Sequence, residues 1–492
     1  MRIPLLLDLA ADTHGDRIAV DGDGGALGFD GLRMAARGFA AHLTARRAQA
    51  VGYLGVNGPA LPVALFGAAM AGRPFAPLNY RLTDEALRAL AARLAPALIV
   101  ADDDMAPRLA GIAGVELIGA PALLALPPAD QAPPDPQGDE TAVLLFTSGT
   151  TGAPKAALLG HANLTGYVMG TVDFAAAGAD EATLVSVPPY HIAGISAILS
   201  SVWAGRRIVQ LPAFDPAAWV DAAARHRVTH AMVVPTMLAR ILDVIEAGAA
   251  LPALRALASG GGRMPRPLIE RALHRLPHVA FANAYGLTET SSTISVLGPA
   301  DHEAARQGDP LALARLDSVG RPVPGVQVEI RDGSGRPCST GIAGEVWVRG
   351  DQVSGRYAGH SATDAEGWFP TRDRGWFDAG GYLYLDGRLD DVIVRGGENI
   401  SPGEIEDALR SHPAVADAAV IGVPDPQWGE RVVAFVVPHP GTAPAAEALR
   451  DHVRRLLRST RTPEIVHLRP DLPYSETGKL LRRVLRDDLA GV

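Results

Sequence analysis

The sequence predicts an α/β protein that has a large N-terminal domain of α/β layers, a β-rich subdomain, and a small α+β domain at the C-terminus. Alanine-rich helical stretches alternate with short strand-like runs up to about residue 300. From 320 to 390 the residues read as alternating strands that are separated by glycine turns. After "GRLDD" the chain starts a new α+β unit of about 100 residues. A chain of 492 residues is also too long for a single hydrophobic core.

The first part of the chain supplies the layers of the large domain. Strand-like runs such as "IAV", "AVGYLGV" and "ALIVADD" lie between helical segments. The apolar stretch at 58–72 is shorter than a membrane span and contains glycine and proline, so it predicts a buried helix. The proline- and acid-rich stretch 127–140 predicts a surface connector. The strands "TLVSVP", "RIVQLP", "HAMVVP" and "VAFANAYG" follow, and ligands collect at the ends of such strands.

The last third of the chain changes pattern twice. The runs "VQVEIRD", "GEVWVRG" and "GYLYLDGR" predict the β-rich subdomain. The C-terminal unit then begins with "VIVRGG" and the helix "SPGEIEDALRSH". In that helix we expect Ser401 to be the N-cap and Pro402 to be the first helical residue.

Composition and charge limit the classes of protein to which the chain can belong. Hydrophobic residues make up 48% and charged residues 20% of the chain, as in soluble globular proteins. The net charge of −9 argues against a nucleic-acid partner. The single cysteine, Cys338, excludes an intrachain disulfide and a zinc cluster built on cysteines, and we expect a bystander thiol. The N-terminus lacks the apolar core of a signal peptide, so we expect a cytoplasmic protein without an integral membrane segment.

The stretch "FTSGTTGAPKAAL", residues 146–158, directly follows the strand-like run "TAVLL". Its glycines and hydroxyls predict a loop that binds phosphate through backbone N–H groups. The loop is not that of a P-loop NTPase, in which lysine follows glycine and precedes serine or threonine. Here Lys155 follows Pro154 and precedes Ala156.

The pattern "TSGTTGAPK" resembles the phosphate loop of the adenylate-forming superfamily, which includes acyl-CoA synthetases, adenylation domains and luciferases. Further motifs match that superfamily in its own order and over nearly the whole chain: "SGGG" at 259–262, "YGLTET" at 285–290, "TRD" at 371–373, "GRLDDVIVRGGENISPGEIE" at 387–406, and "YSETGKLLRR" around Lys479. One departure is Arg372, where the family usually has glycine.

The resemblance implies an AMP-forming acyl- or aryl-CoA synthetase. Such an enzyme activates a small carboxylic acid with ATP and Mg²⁺, releases pyrophosphate, and transfers the acyl group to CoA as co-substrate. Residues 1–387 would form the AMP-binding domain and 388–492 the mobile domain, with the hinge near Asp390. The acceptor of the acyl group can be CoA, a carrier protein or another nucleophile, and the sequence does not distinguish them. A homodimer is one option for the oligomeric state. A nucleotide-binding relic that acts as a sensor is the non-enzyme alternative, against which the candidate catalytic residues are all present.

The resemblance also implies a role for each matched residue. Lys479, Thr288, Glu289 and His191 would form the catalytic group, with Glu289 contacting Mg²⁺ at the phosphates. The nucleotide would be bound by residues of the phosphate loop, the adenine pocket and the ribose site: Thr147, Ser148, Gly149, Thr150, Thr151, Gly152, Lys155, Gly260, Gly261, Asn283, Ala284, Tyr285, Asp373 and Arg388. The pantetheine of CoA would pass Gly396 and Gly397, which lack side chains.

The acyl pocket is expected around "PPYHIAGIS", where His191 resembles the family's aromatic gate. Amino-acid-activating relatives usually carry an Asp near this place, but the segment here has no acid, so the substrate should lack an α-amino group. The expected walls are mostly small: Gly170, Ile192, Ala193, Gly194, Ala284, Gly286, Ser291 and Ser292. They predict a roomy apolar pocket and leave aryl and medium or branched aliphatic acids open.

Overall fold

The computed structural model describes residues 1–22, 25–131, 141–147, 155–395, 398–457, 459–475 and 480–490. It confirms the predicted α/β class, with two large mixed sheets and helices in the N-terminal part and a smaller α+β arrangement after it. Contacts group the chain into two compact units. The first comprises residues 1–327 and 348–369, and the second comprises 328–347 and 370–492. The expected domain division at residues 387 and 388, and the mobility of the C-terminal domain, stay predictions.

A nine-stranded sheet forms one layer of the first unit. Its central strands are parallel and its edges are antiparallel. In spatial order the strands are Arg321–Pro322, Ser292–Leu297, Ala280–Leu287, Ala256–Gly260, His230–Val233, Ala182–Val185, Arg207–Gln210, Ile18–Gly22 and Gly25–Gly28. The predicted runs "TLVSVP", "RIVQLP", "HAMVVP" and "VAFANAYG" are therefore confirmed as strands, and their carboxyl ends meet at one edge of this sheet.

An eight-stranded sheet forms the other layer of this unit. Its strands, in spatial order, are His360–Ser361, Arg356–Tyr357, Lys155–Gly160, Thr141–Thr147, Phe75–Pro77, Ala50–Leu54, Ala97–Ala101 and Val115–Gly119. The strand before the phosphate loop thus continues, after the loop, into an antiparallel partner. That partner carries the short strand Arg356–Tyr357 on its other side.

The main hydrophobic core of the first unit joins residues of both sheets to helices. The stretch predicted as a buried helix is the helix Ala60–Met70, and all of its residues are buried. It packs closely on the helix Phe29–Thr44, since a Cβ at Gly67 would lie 2.8 Å from the carbonyl oxygen of Ala36. The remaining helices of this unit are Ile3–His14, Asp84–Leu94, Ala120–Leu124, His161–Thr171, Ile192–Ala204, Pro216–Arg225, Pro235–Glu246, Arg266–Arg275, Pro299–Arg306 and Pro310–Arg315, with 3₁₀ turns Ala106–Leu109 and Thr288–Thr290. Among the described residues, no helix is both long enough and apolar enough to cross a membrane.

Two smaller sheets lie mainly in the second unit. The strands of the first are Val326–Arg331, Gly344–Gly350, Phe369–Phe377 and Leu383–Arg388, and those of the second are Glu398–Ile400, Ile393–Arg395, Gly429–Pro438 and Val415–Asp425, with Ile465–Leu468 also paired to Gly429–Pro438. Its helices are Pro402–Arg410, Ala446–Leu456 and Arg482–Ala490, with 3₁₀ turns Leu389–Asp391 and Ser459–Arg461. The first of these helices begins at Pro402 as predicted. The Ser401 hydroxyl makes no capping bond and instead donates to the carbonyl oxygen of Asp386 at 2.9 Å.

Candidate active site

The phosphate-loop motif lies between two paired strands of the eight-stranded sheet. Thr147 ends one strand, Lys155 begins the next, and the two residues are opposite each other in the antiparallel register. The Thr147 hydroxyl donates to the carbonyl oxygen of Lys155 at 3.5 Å, and the Lys155 side chain is exposed. Five predicted loop residues lie outside the described residues: Ser148, Gly149, Thr150, Thr151 and Gly152.

Glu289, the predicted metal-binding acid, is held by a segment that follows it by more than sixty residues in the chain. The Tyr357 hydroxyl donates to Oε1 of Glu289 at 2.7 Å. The backbone N–H groups of Ser354 and Gly355 donate to the Glu289 carbonyl oxygen at 2.9 and 3.2 Å. The same tyrosine ring lies 5.7 Å from the Nζ atom of Lys155. The fold therefore brings both Glu289 and Lys155 into contact with the side chain of Tyr357.

The chemistry of this group fits a magnesium ion. Glu289 and the neighbouring Thr288 offer carboxylate and hydroxyl oxygens, the hard ligands that Mg²⁺ prefers. In the part of the chain that the structure describes, no group of three or more His, Cys, Asp or Glu side chains could hold a metal ion. Mg²⁺ tolerates such a site, because it keeps several waters and takes most of its other ligands from substrate phosphates.

The predicted adenine-pocket residues lie on two adjacent parallel strands of the nine-stranded sheet. Ser259 is in register with Asn283, and Gly260 is in register with Ala284. Asn283 is only 6% exposed. A Cβ at Gly260 would lie 2.8 Å from the carbonyl oxygen of Ala284, so this close approach requires glycine. Gly261 follows at φ 78°, and Tyr285 is half-buried beside a bulge in the neighbouring strand pair.

The turn after "YGLTET" stores backbone strain. Ser291 and Ser292 have φ values of 56° and 121°, in a region that side chains disfavour. The turn is held by Thr290, whose hydroxyl accepts from the N–H of Leu287 at 3.0 Å and contacts the carbonyl oxygen of Ser292 at 2.8 Å. A Cβ at Gly286 would meet that same carbonyl oxygen at 1.8 Å. Such strain clusters at functional sites, where surrounding contacts maintain it.

His191 directly precedes the helix Ile192–Ala204, which contacts this strained turn. The helix is tied to the turn by Ser196, whose buried hydroxyl donates to the carbonyl oxygen of Ser291 at 3.4 Å. Burial lowers the pKa of His191 to about 4, so the imidazole is neutral near pH 7. Its ring lies 4.6 Å from that of Tyr190.

The remaining predicted wall residues surround the same helix or the one before it. Ile192 and Ala193 are half-buried in its first turn, and Gly194 is buried. Gly170 lies near the end of the helix His161–Thr171, where a Cβ would be 3.4 Å from the carbonyl oxygen of Pro324. The structure thus brings the helix that follows His191 to Ser291, through Ser196, and places Gly170 beside Pro324.

In the second unit, the predicted ribose residue is paired with the predicted arginine. Asp373 lies inside the strand Phe369–Phe377, opposite Arg388, and their Oδ1 and Nε atoms are 3.0 Å apart. Asp373 is 7% exposed, and its backbone N–H donates to the Thr371 hydroxyl at 3.1 Å. A carboxylate held in this way can accept hydrogen bonds from vicinal hydroxyl groups.

Arg372 and Asp390 form a second ion pair in this unit. The Nη2 atom of Arg372 lies 2.7 Å from Oδ1 of Asp390, and its Nη1 atom is 3.9 Å from a carboxylate oxygen of Glu345. The hydrogen bond with Asp390 raises the pKa of Arg372 above its ordinary value. Arg372 itself has a φ of 63°, which explains why glycine suits this position. The predicted hinge residue is therefore tied to the one residue that departs from the resemblance.

Three predicted residues of the C-terminal part lie outside the described residues: Gly396, Gly397 and Lys479. Gly396 and Gly397 stand between Arg395 and Glu398, which are paired opposite each other. Lys479 stands between Tyr474 and Leu480, which form an isolated antiparallel bridge. Lys479 and Lys155 are the only lysines of the chain, since every other basic residue besides histidine is arginine.

Sequence reasoning missed Tyr357 and the residues that precede it. Gln352 donates to the carbonyl oxygens of Thr290 and Thr293 at 3.0 and 2.7 Å, and Ser354 donates to the carbonyl oxygen of Leu158. These bonds connect the segment "QVSGRY" to both the Glu289 turn and the Lys155 strand. The sequence offers little signal for them, because each partner is distant along the chain.

Comparison with known proteins gives consistent matches over the chain. Residues 7–358 match the family of AMP-binding enzymes, and residues 404–479 match the AMP-binding enzyme C-terminal domain. The chain is 36% identical over 444 residues to the feruloyl-CoA synthase of an Amycolatopsis species, which covers 89% of this chain and 88% of that protein. It is 32% identical over 458 residues to the fatty acid–[acyl-carrier-protein] ligase ScoC of Streptomyces coeruleorubidus, covering 90% and 87%. The fold matches that of o-succinylbenzoate CoA synthetase from Bacillus subtilis in complex with the acyl-adenylate intermediate OSB-AMP, with a TM-score of 0.84, 29% identity and 98% of each chain covered.

Proposed function

Because the chain belongs to the family of AMP-binding enzymes, we propose that it is an ATP-dependent carboxylic acid–CoA ligase. In the first step the carboxylate attacks the α-phosphorus of ATP, which forms acyl-AMP and releases pyrophosphate. In the second step the thiolate of CoA attacks the acyl carbon and AMP leaves. The observation that carries the proposal is the meeting of Lys155 and Glu289 at Tyr357, because the adenylation step needs a cation and a metal-binding acid at one set of phosphates.

The residues around the phosphates act by position and charge. Lys155 would offer an ammonium to the departing pyrophosphate, and the Thr147 and Thr288 hydroxyls would donate to phosphate oxygens. The loop glycines and hydroxyls from Ser148 to Gly152 would complete this cradle. Glu289 would hold the Mg²⁺ ion, which neutralises phosphate charge when it is bound.

The rest of the nucleotide is assigned to two groups of residues. Asn283, Ala284, Tyr285 and the glycines Gly260 and Gly261 would receive the adenine. Asp373 would accept hydrogen bonds from the ribose hydroxyls, and its ion pair with Arg388 supports this role by fixing the position of the carboxylate.

The two half-reactions would use different residues of the C-terminal part. Lys479 would stabilise the developing charge between the carboxylate and the α-phosphate in the first step only. Asp390 would be the hinge that exchanges this arrangement for one in which Gly396 and Gly397 face the pantetheine. The expected cytoplasmic location and the homodimer option also stay predictions.

The substrate is proposed to be a carboxylate with an apolar body and no α-amino group. The neutral His191, with a pKa lowered to about 4 by burial, supports a role in shape rather than in charge recognition. Feruloyl-CoA synthase and the indoleacetate–CoA ligase of Aromatoleum aromaticum, to which this chain is 34% identical over 463 residues, are both named for aromatic acids, which favours an aryl acid as the first class to test.

The test is an ATP–pyrophosphate exchange assay over a panel of aryl, arylalkanoic and medium-chain aliphatic acids, followed by addition of CoA to each active mixture. We expect exchange with at least one acid and CoA-dependent release of AMP. Pyrophosphate exchange without CoA-dependent release of AMP would indicate that the acyl group is passed to a carrier protein or to another acceptor. The similarity to ScoC favours the carrier protein among these alternatives. No exchange with any acid, together with no ATP binding, would contradict the proposed function.

A further inference from the structure

Tyr357 contacts both predicted phosphate-binding side chains of the first unit. We propose that it is a positioning residue for adenylation, whose hydroxyl fixes the metal-binding carboxylate of Glu289 and whose ring supports the ammonium group of Lys155. The inference rests on the proposed function, because it takes Glu289 as the metal ligand and Lys155 as the phosphate ligand.

The hydroxyl group of Tyr357 restricts a side chain that is otherwise long and flexible. It donates to Oε1 of Glu289 at 2.7 Å, while the backbone N–H groups of Ser354 and Gly355 hold the carbonyl oxygen of the same glutamate. One short segment thus binds Glu289 at its backbone and at the end of its side chain. The carboxylate is held before any metal arrives, so less conformational entropy is lost when one binds.

A neutral partner also suits a metal-binding carboxylate. A lysine or arginine in this place would compete with the cation for the negative charge, whereas a phenol leaves that charge in place. Within the described residues Glu289 forms no ion pair, and its Oε2 atom accepts no hydrogen bond. The second carboxylate oxygen is therefore available to a cation.

The ring of Tyr357 reaches Lys155 because of the strand register. Tyr357 is opposite Ala157 in the antiparallel pair, and Lys155 lies two residues before Ala157 on the same face of the strand. This diagonal relation brings the Nζ atom to 5.7 Å from the ring centroid, a cation–π distance. Tyr357 thus positions the carboxylate of Glu289 and the ammonium group of Lys155 relative to each other.

Ring packing alone is the competing explanation, since Tyr357 also stacks on His360 with centroids 5.1 Å apart. The two explanations differ in what each variant changes. Tyr357→Phe keeps the ring, the stack and the contact with Lys155, and removes only the hydroxyl. His360→Ala removes the stack and keeps the hydroxyl, and it is the matched control.

The experiment measures magnesium binding in two ways on the full-length protein. Calorimetry gives the dissociation constant of Mg²⁺ in the presence of a non-hydrolysable ATP analogue, and pyrophosphate exchange gives the Mg²⁺ concentration for half-maximal rate. We expect Tyr357→Phe to weaken both by about 3- to 10-fold, the factor that corresponds to the net contribution of one typical hydrogen bond, with the KM for the acid unchanged. His360→Ala should lower the unfolding temperature and leave both magnesium constants as in the wild type.

Glu289→Gln separates the possible failures. If this variant loses magnesium binding and Tyr357→Phe does not, the positioning role is wrong and the proposed function stands. If Glu289→Gln also binds magnesium normally, the assignment of Glu289 is wrong and the inference fails with it. Equal loss of magnesium binding in His360→Ala would show that packing, and not the hydroxyl, is responsible. If Tyr357→Phe does not fold, the magnesium constants of Tyr357→His, which keeps an aromatic ring and lacks the phenol, are compared with those of His360→Ala instead.

Discussion

Replacement of Arg372 tests whether its ion pair with Asp390, the expected hinge residue, affects stability and the second half-reaction. We predict that Arg372→Gly and Arg372→Ala both release Asp390 from its ion pair, and that they differ in stability because only glycine suits the backbone at this position. The structure supplies both parts of the argument: a φ of 63° at Arg372 and a 2.7 Å contact between its Nη2 atom and Asp390.

The two energy terms can be compared. The Arg372 side chain is 54% exposed and that of Asp390 is 40% exposed, so solvent screening limits their ion pair to about 0–1 kcal/mol. The left-handed backbone costs a residue with a Cβ about 1–2 kcal/mol, which glycine does not lose. Glycine gives back about 0.5–1 kcal/mol through the entropy of the unfolded chain. Arg372→Gly should therefore be more stable than Arg372→Ala by up to about 1.5 kcal/mol, with a midpoint of about 0.75 kcal/mol, from the backbone terms alone.

The assay has two parts. Urea unfolding compares the stability of the two variants, and rapid mixing of each with synthetic acyl-AMP and CoA gives the rate of thioester formation. We expect both variants to speed that step by up to about 5-fold, the rate equivalent of the lost ion pair. Arg336→Ala, which removes an exposed arginine paired with Asp332 in the same unit, should leave the rate unchanged. Equal stability of the Gly and Ala variants would refute the strain argument, and unchanged thioester rates would refute the tie to the hinge.

Four further predictions test other parts of the account. Lys479→Ala should lose at least about 10²-fold in acyl-adenylate formation and still convert supplied acyl-AMP to thioester, whereas equal losses in the two steps would contradict its assignment to the first. Because Lys155 and Lys479 are the only lysines, an amine-directed reagent followed by peptide mass spectrometry should show slower labelling of Lys155 with ATP and Mg²⁺, and unchanged labelling would remove it from the phosphate site. Phenylalanine should be at least about 10³-fold poorer than 3-phenylpropanoate in pyrophosphate release, because its ammonium would be buried without a partner, and a faster amino acid would refute the pocket argument. Burial lowers the pKa of His191 to about 4, so its contribution to stability is complete above the unfolded pKa near 6.5 and is lost as the pH falls towards 4. Between pH 7 and pH 5, urea unfolding should therefore show a smaller loss of stability in His191→Phe than in the wild type. Equal losses in the two proteins would contradict this prediction.

The strands of the fold were readable from the sequence where they are short, apolar and bounded by glycine or proline. Runs such as "HAMVVP" and "VAFANAYG" meet these conditions and are strands in the structure. The strand Phe369–Phe377 was not recognised, because two arginines and an aspartate interrupt its apolar alternation. Its pairing with Leu383–Arg388 stabilises it instead, and that pairing places Asp373 opposite Arg388.

Contacts between distant segments explain most of what the sequence did not reveal about the candidate site. The hydroxyl of Ser401 matches the pattern of a capping residue, yet it bonds to Asp386, an acceptor on a preceding strand that local sequence cannot predict. Tyr357 reaches Glu289 across 68 positions, and Arg372 reaches Asp390 across 18. The motifs identified which residues to examine, whereas the pairs that they form required the fold.

The central claim is that the carboxylate of the substrate attacks the α-phosphorus of ATP. Heavy-oxygen-labelled carboxylate of the most active acid in the exchange panel, incubated with the enzyme, ATP, Mg²⁺ and CoA, tests this claim directly. Mass spectrometry of the nucleotide product should find one labelled oxygen in AMP, since the bridging oxygen of acyl-AMP leaves with AMP when the thiolate attacks. Labelled inorganic phosphate with unlabelled ADP would mean attack on the terminal phosphate and would contradict the account.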